Sequence, residues 1–279
     1  MADITRKEID RRVKRRESLK EIDITGLNLD EFNFEGATFY KCKFSGSTMN
    51  NSNFAFSRFD GCLLNNCEMH ECHFQESSFE ECDFSKSALC DSILKEVNFR
   101  QTILQGTDFS GSFIEDIILI EAEGNLCNFS FTTLSSSNLS SAKLQVCDFN
   151  SCQAIGIKAA SADFTGSEFK GAKMDSSILK GAKLSFCNFS DASLQKCDMS
   201  NAKLVFALLQ NTRLNSTNLK DVLLVGAKVN GSELNDAILE NTNLTKADFS
   251  HCILNGSKMN GVMDYETIYD GASLKGVTR

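Results

Sequence analysis

His70, Cys72 and His73, in the segment MHECHF, are the residue types that hold zinc, and as ligands they would have to converge on one tetrahedral ion. The rest of the sequence offers such chemistry little support. There are only three histidines in 279 residues, and the twelve cysteines show no CxxC spacing. Nothing matches a phosphate-cradling glycine loop, a nucleophile elbow or a dinucleotide fingerprint. The NFS, NLS and NLT triplets match glycosylation acceptors, but a pattern that repeats along the whole chain generates them. Binding is better represented than catalysis. Lys43, Lys143, Lys183 and Lys203 are separated by multiples of twenty, as are Glu68, Asp108, Asp148, Glu168 and Asp248. Leu126, Val146, Phe186 and Phe206 keep the same spacing, with Leu208 two residues further on. A period of twenty has meaning only if the backbone closes a turn every twenty residues, so the elements behind it must be found.

The underlying period is five. From Ile24 to Leu274, every fifth residue forms a series of 51 positions in which only Gly124, Ala154, Ala159, Asp264 and Tyr269 are not Leu, Phe, Ile, Val or Met. Neither the 3.6-residue helix nor the two-residue strand produces this, so the chain must turn an apolar side chain inward once every five residues. Two residues before each such central position the side chain is mostly Ala, Ser, Thr or Cys, and eleven of the twelve cysteines fall there, all but Cys90. Cysteine interchanging with Ala and Ser reads as a small buried group rather than as half of a disulfide. Two residues after the central position stand 16 of the 17 glycines, all but Gly124, together with Asn51, Asn66, Asn201, Asn211 and Asn241. A type II turn needs positive φ at its third residue, which Gly and Asn tolerate best, so each pentapeptide ends in a corner. In that register His70 and His73 face outward and Cys72 inward.

Segments such as CDFSK, TDFSG, ADFTG, TNLKD, TNLTK and AKLSF resemble the pentapeptide-repeat family, with its A(D/N)LXX consensus, over about residues 22–276. The resemblance implies an all-β solenoid: a right-handed quadrilateral β-helix with four pentapeptides per coil. About thirteen coils are then expected; at a strand spacing of ~4.8 Å they would make a stack about 60 Å long. Residues twenty apart stack, so Phe39, Phe59, Phe79 and Phe99 should form one internal ladder and Phe109, Phe129, Phe149, Phe169 and Phe189 another. The absence of proline fits an inter-coil hydrogen-bond ladder, to which proline cannot donate.

The expected division is an N-terminal capping helix over 1–20 and the β-helix over 21–279. Thr5 and Glu8 have capping-box spacing, and Ile4, Ile9 and Val13 share one side of a helix reaching about Arg16. Ile22, Leu27 and Phe32 are too large for the small slot, which suits coils covered by that helix. At the other end Tyr265, Ile268 and Tyr269 are expected to close the last coil, and a slight bulge is expected near 120–125, where Gly124 replaces a large central residue.

Net charge is −8, with +4 in residues 1–20 and −12 in the remainder. No apolar run reaches the roughly 18 residues needed to cross a bilayer, and the start lacks the apolar core of a signal peptide, so a cytoplasmic protein is expected. A rod with apolar or small residues at every inward position has no concave pocket, which argues against an enzyme and against any cofactor or metal. The expected partner is another protein, with neither nucleic acid nor membrane, and dimerisation is a further expectation. Lys143, Lys183 and Lys203 beside Phe186, Phe206 and Leu208 form the candidate partner site; corner packing between coils is the competing account of the same residues. Ile93, Ile103, Phe113 and Ile118 form a second apolar outer group. The acidic series Glu68, Asp108, Asp148, Glu168 and Asp248 is the alternative face, because some family members mimic DNA and protect gyrase. Against that, a 60 Å length of B-DNA carries about 35 phosphates, and this chain lacks the inserted loops and C-terminal helix of many gyrase-protecting members. The leader ITRKEIDRRVKRRESLKEIDITGLNLDEF is similar to the start of pentapeptide-repeat proteins associated with bacterial type VI secretion. That similarity implies an accessory or adaptor role near an injected effector or spike, and so a non-catalytic binding scaffold.

Overall fold

The computed structural model describes residues 2–279. Its helix, α1 (Arg6–Lys14), is followed by six three-residue strands: β1 (Ser18–Lys20), β2 (Thr38–Tyr40), β3 (Arg58–Asp60), β4 (Ile93–Lys95), β5 (Phe113–Glu115) and β6 (Thr133–Ser135). Strands β1–β3 make one parallel sheet and β4–β6 another, and every pairing joins residues twenty apart. Elsewhere the same register is carried by single-residue parallel bridges, from Asp23↔Lys43 to Lys258↔Thr278. Five-residue sides explain the short strands, because a corner interrupts the ladder before it can lengthen. The chain forms two compact units, one ending at Asn138 and the other running from Leu139 to Arg279. The twenty-residue register gives about six coils in the first unit and about seven in the second.

Each pentapeptide follows one local plan. The central residue is buried at every step from Leu19 to Leu134 in the first unit and from Leu139 to Met259 in the second. Leu19 opens the series, one step before Ile24. The corner residue two positions later holds φ near +60°, whether it is Gly26, Asn66 or Phe206. Backbone N–H groups of both the central and the corner residue donate to the next coil, as Ile24 does to the Lys43 carbonyl (2.7 Å) and Gly26 to that of Ser45 (3.1 Å). Parallel ladders with these regular bonds satisfy the backbone of each buried side.

The interior is partly aromatic. Phe39, Phe59, Phe79 and Phe99 stack in sequence with centroids 4.7, 5.0 and 5.6 Å apart. Phe34, Phe54 and Phe74 make a further ladder at 4.7 and 4.8 Å. Phe109 stacks on Phe129 in the first unit, and Phe149, Phe169 and Phe189 stack in the second. The bulge expected near Gly124 does not form: Ile103↔Glu123 and Asp108↔Asn128 keep the register on either side, and Gly124 sits buried in the central slot.

Helix α1 covers the first coils. The Thr5 side chain accepts the Glu8 N–H, while Glu8 turns its carboxylate to Arg11, so half of the capping box forms. Ile9 and Val13 are buried. Arg6 lies over the Phe32 ring and donates to the carbonyls of Asn28 (3.3 Å) and Asp30 (2.7 Å). Arg12 pairs with Glu17 (3.1 Å) and Lys14 with Asp10 (2.7 Å). At the far end the expected closure holds only for Tyr269, which packs 5.9 Å from Phe249; Tyr265 and Ile268 are exposed.

Candidate functional site

The structure separates the zinc-like trio. Cys72 is buried and its thiol donates inward to the Met49 carbonyl (3.0 Å), while His73 sits on the outer bridge between Asn53 and Ile93. Among the described residues no group of three His, Cys, Asp or Glu side chains could hold a metal ion. Burial pushes the Cys72 thiol up to about 12, and does the same at Cys67, Cys187 and Cys197. An interior gap beside Leu204, Leu209, Leu214 and Leu219 measures about 10 Å³, at the lower limit for a single water.

The outer columns follow from the bridge register. In the second unit one runs Lys143, Asp163, Lys183, Lys203, Leu223, Asn243 and Met263. Asp163 thus lies between Lys143 and Lys183, and Lys183 Nζ meets its carboxylate at 3.0 Å. Burial alone would raise the Asp163 pKa, but hydrogen bonds from Thr165, Lys183 and Gln145 outweigh it and hold the carboxyl below its ordinary value. Lys203 has Lys183 on one side and Leu223 on the other, and among the described residues no carboxylate contacts it. Lys43 and Leu126 belong to the first unit.

The corner beside those lysines carries Val146, Gly166, Phe186, Phe206 and Gly226. Phe186 and Phe206 stack at 5.7 Å with an interplanar angle of 23°, and the Phe206 ring lies over Gly226 so closely that a Cβ there would collide with it. Both rings remain exposed, at 60% and 54%. Leu208, also exposed, begins the next face. Corner packing between coils is therefore real and incomplete: the rings stack on each other, and more than half of each stays in water. Their backbones have φ of 61° and 56°, where a bulky side chain is an outlier. A position that costs about 1–2 kcal/mol for an L-residue and buries little of it is poorly explained by stability.

The acidic series is broken. In the first unit Ala88 separates Glu68 from Asp108. In the second, Asp148 and Glu168 are neighbours, but Asn188, Leu208 and Lys228 intervene before Asp248. Lys228 approaches Asp248 to 3.8 Å. The second apolar group also divides. Ile93 and Phe113 pair across β4 and β5, whereas Ile103, ten residues from both on a twenty-residue coil, lies on the opposite side and Ile118 on another. The sequence reading grouped them by type and missed the half-turn. It likewise gave no weight to Phe56 and Phe131, exposed corner residues of the first unit that their φ > 0 slots mark out.

Comparison with known proteins agrees with this architecture. The family model for pentapeptide repeats matches residues 18–55, 52–89, 82–119, 182–221 and 223–261. HetL, a pentapeptide-repeat protein involved in heterocyst differentiation regulation in the cyanobacterium Nostoc sp. strain PCC 7120, is similar over 98% of this chain and 96% of its own, with 22% identity and a TM-score of 0.50. Rfr23 from the cyanobacterium Cyanothece 51142 is 30% identical over 33% of this chain and 63% of its own, with a TM-score of 0.32. Full-length QnrB1, a plasmid-mediated fluoroquinolone resistance protein, is 18% identical over 91% of this chain and 93% of its own, with a TM-score of 0.26. No curated protein sequence matches.

Proposed function

Since the chain belongs to the pentapeptide-repeat family, whose repeats span most of it, we propose that it is a non-catalytic scaffold whose second unit binds another protein at the corner formed by Phe186 and Phe206. One observation carries this reading: two large aromatic side chains occupy positive-φ corner positions that favour Gly or Asn, and they stay exposed there. Exposed aromatics bordered by Lys203 and Leu208 have the make-up of an interface anchor with a polar rim. Lys183 joins that rim while tied to Asp163, and Lys143 begins the same column.

The experiment is a paired capture from the native organism, with the folded wild type and the folded F186S/F206S double variant as baits. A protein retained by the first and lost from the second is the expected result. Equal retention on both, with unchanged circular dichroism, removes this corner from the proposal. Recovery of secretion-machinery proteins would support the adaptor role that the leader sequence suggests. The DNA-mimic alternative is less well supported, because its acidic column is interrupted by Ala88, Asn188, Leu208 and Lys228, where a duplex presents unbroken phosphates. Inhibition of DNA gyrase supercoiling by the protein would reverse that ranking and make Asp148 and Glu168 the residues to mutate.

A further inference from the structure

The chain is acidic as a whole, yet its charge is segregated. Between Lys170 and Lys228 stand nine Lys or Arg and four Asp or Glu, so these three coils carry +5 in a protein of net −8. The two faces that meet at the Phe186–Phe206 corner are more one-sided still. Over the three coils from Lys183 to Lys228 one presents Lys183, Lys203 and Leu223 and the other Asn188, Leu208 and Lys228, with no carboxylate among the outward residues between the corners; Asp221 and Asp191 stand at the far corners of the two faces. The carboxylates nearest in the columns, Asp163 and Asp248, are already engaged by Lys183 and Lys228. Lys203, in the middle, contacts no carboxylate among the described residues.

We infer that the partner bound at this corner presents an acidic segment studded with apolar side chains, the carboxylates meeting Lys183, Lys203 and Lys228 and the apolar groups covering the edges of Phe186 and Phe206. The inference rests on the binding role proposed above and adds the chemistry of the partner. Charge complementarity favours an acidic ligand, since like charges facing each other across an interface are costly and opposite charges raise the association rate. Ring geometry selects a polypeptide over a nucleic acid. Bases bind single-strand sites by stacking on open aromatic faces, but here the facing sides of Phe186 and Phe206 are taken up by each other and the Phe206 ring leans against Gly226, so less flat surface is left for a base. The acidic remainder of a second copy is the other occupant of similar charge, and the test distinguishes it.

The full-length protein is used to select from a phage-displayed library of random twelve-residue peptides, and the survivors are counter-screened on F186S/F206S and on K183E/K203E. The expected survivors are enriched in Asp and Glu alternating with Leu, Phe, Tyr or Trp. Synthesised and titrated by fluorescence anisotropy, they should bind at least tenfold more weakly to either variant and lose affinity as salt rises. Peptides that need Phe186 and Phe206 but are neutral or basic would overturn the acidic partner and leave the binding corner standing. Absence of enrichment, or peptides indifferent to F186S/F206S, would overturn both. Two parallel measurements complete the test. Binding of a labelled oligothymidylate that is lost in F186S/F206S would replace the polypeptide with a nucleic acid. A concentration-dependent dimer in sedimentation velocity, abolished by K183E/K203E, would replace it with a second copy.

Discussion

The small slot before each central residue shows how one side chain's chemistry sets what a position accepts. Ser47 donates its hydroxyl to the Ile24 carbonyl (3.0 Å), Thr102 to that of Phe79 (3.0 Å), and Cys67 its thiol to that of Phe44 (3.1 Å). Each reaches back 23 residues to a central carbonyl of the preceding coil. Ser, Thr and Cys interchange there because all are small and carry one rotatable donor, and alanine is accepted because that carbonyl also meets the turn N–H, as Leu27 meets Ile24. The cysteines are thus structural. Burial pushes the Cys252 thiol up to about 11 and that of Cys152 to about 12, so both stay protonated, and only the thiolate reacts quickly. Ellman titration of the native protein at pH 8 should accordingly reveal at most one fast thiol, the half-buried Cys90, and all twelve after denaturation. Several fast thiols in the native state would show that the coils open far more readily than their packing implies.

At the scale of the pentapeptide, two kinds of phenylalanine have opposite roles. Phe59 is fully buried between Phe39 and Phe79, and Phe59→Ala should cost about 3–5 kcal/mol by removing packed atoms from a ladder that relaxes little. Phe206→Asn relieves about 1–2 kcal/mol of left-handed strain and forfeits about 0.5–1.5 kcal/mol of ring stacking, so the net change should lie between a loss of about 0.5 and a gain of about 1.5 kcal/mol. Urea titrations of the two variants would check the contrast. A large loss in the second would mean that Phe206 is a structural corner after all. This distinction was only half legible in the sequence. The five-residue period placed Phe59 inside and Phe206 at a corner without ambiguity, since position within the repeat decides burial. It did not reveal that Phe206 leans against Gly226, or that Asp163 pairs with Lys183, because both depend on which side chain of the next coil leans toward which. Ile103 was misgrouped for the same reason: a list of apolar residues carries no angle around the coil.

For the molecule as a whole, coils bury their apolar residues against neighbouring coils, so the first coil depends on whatever covers it. Helix α1 supplies that cover with Ile9, Val13 and Arg6, and removing residues 1–16 should expose Phe32 together with an unpaired strand edge. Light scattering should then show association that grows with concentration, whereas the intact chain at the same concentration should not. A truncated chain as soluble as the original would demote α1 from cap to ornament. The fold was readable in advance because each of about fifty pentapeptides states the same rule, so departures such as Gly124 are outvoted by their neighbours. The ends and the outer faces obey no such majority, which is why the closure by Tyr265 and Ile268 failed. The constant twenty-residue register has one more consequence, for how such a surface changes by insertion and deletion. Losing a whole coil shortens the stack and leaves every column in phase, but losing a single pentapeptide turns all that follows by a quarter revolution. Excision of 191–195 would preserve the inward pattern, bring Asn211 rather than Phe206 above Phe186, and dissolve the aromatic corner. Exterior recognition can thus be redialled in one genetic step while the interior keeps its five-residue apolar pattern.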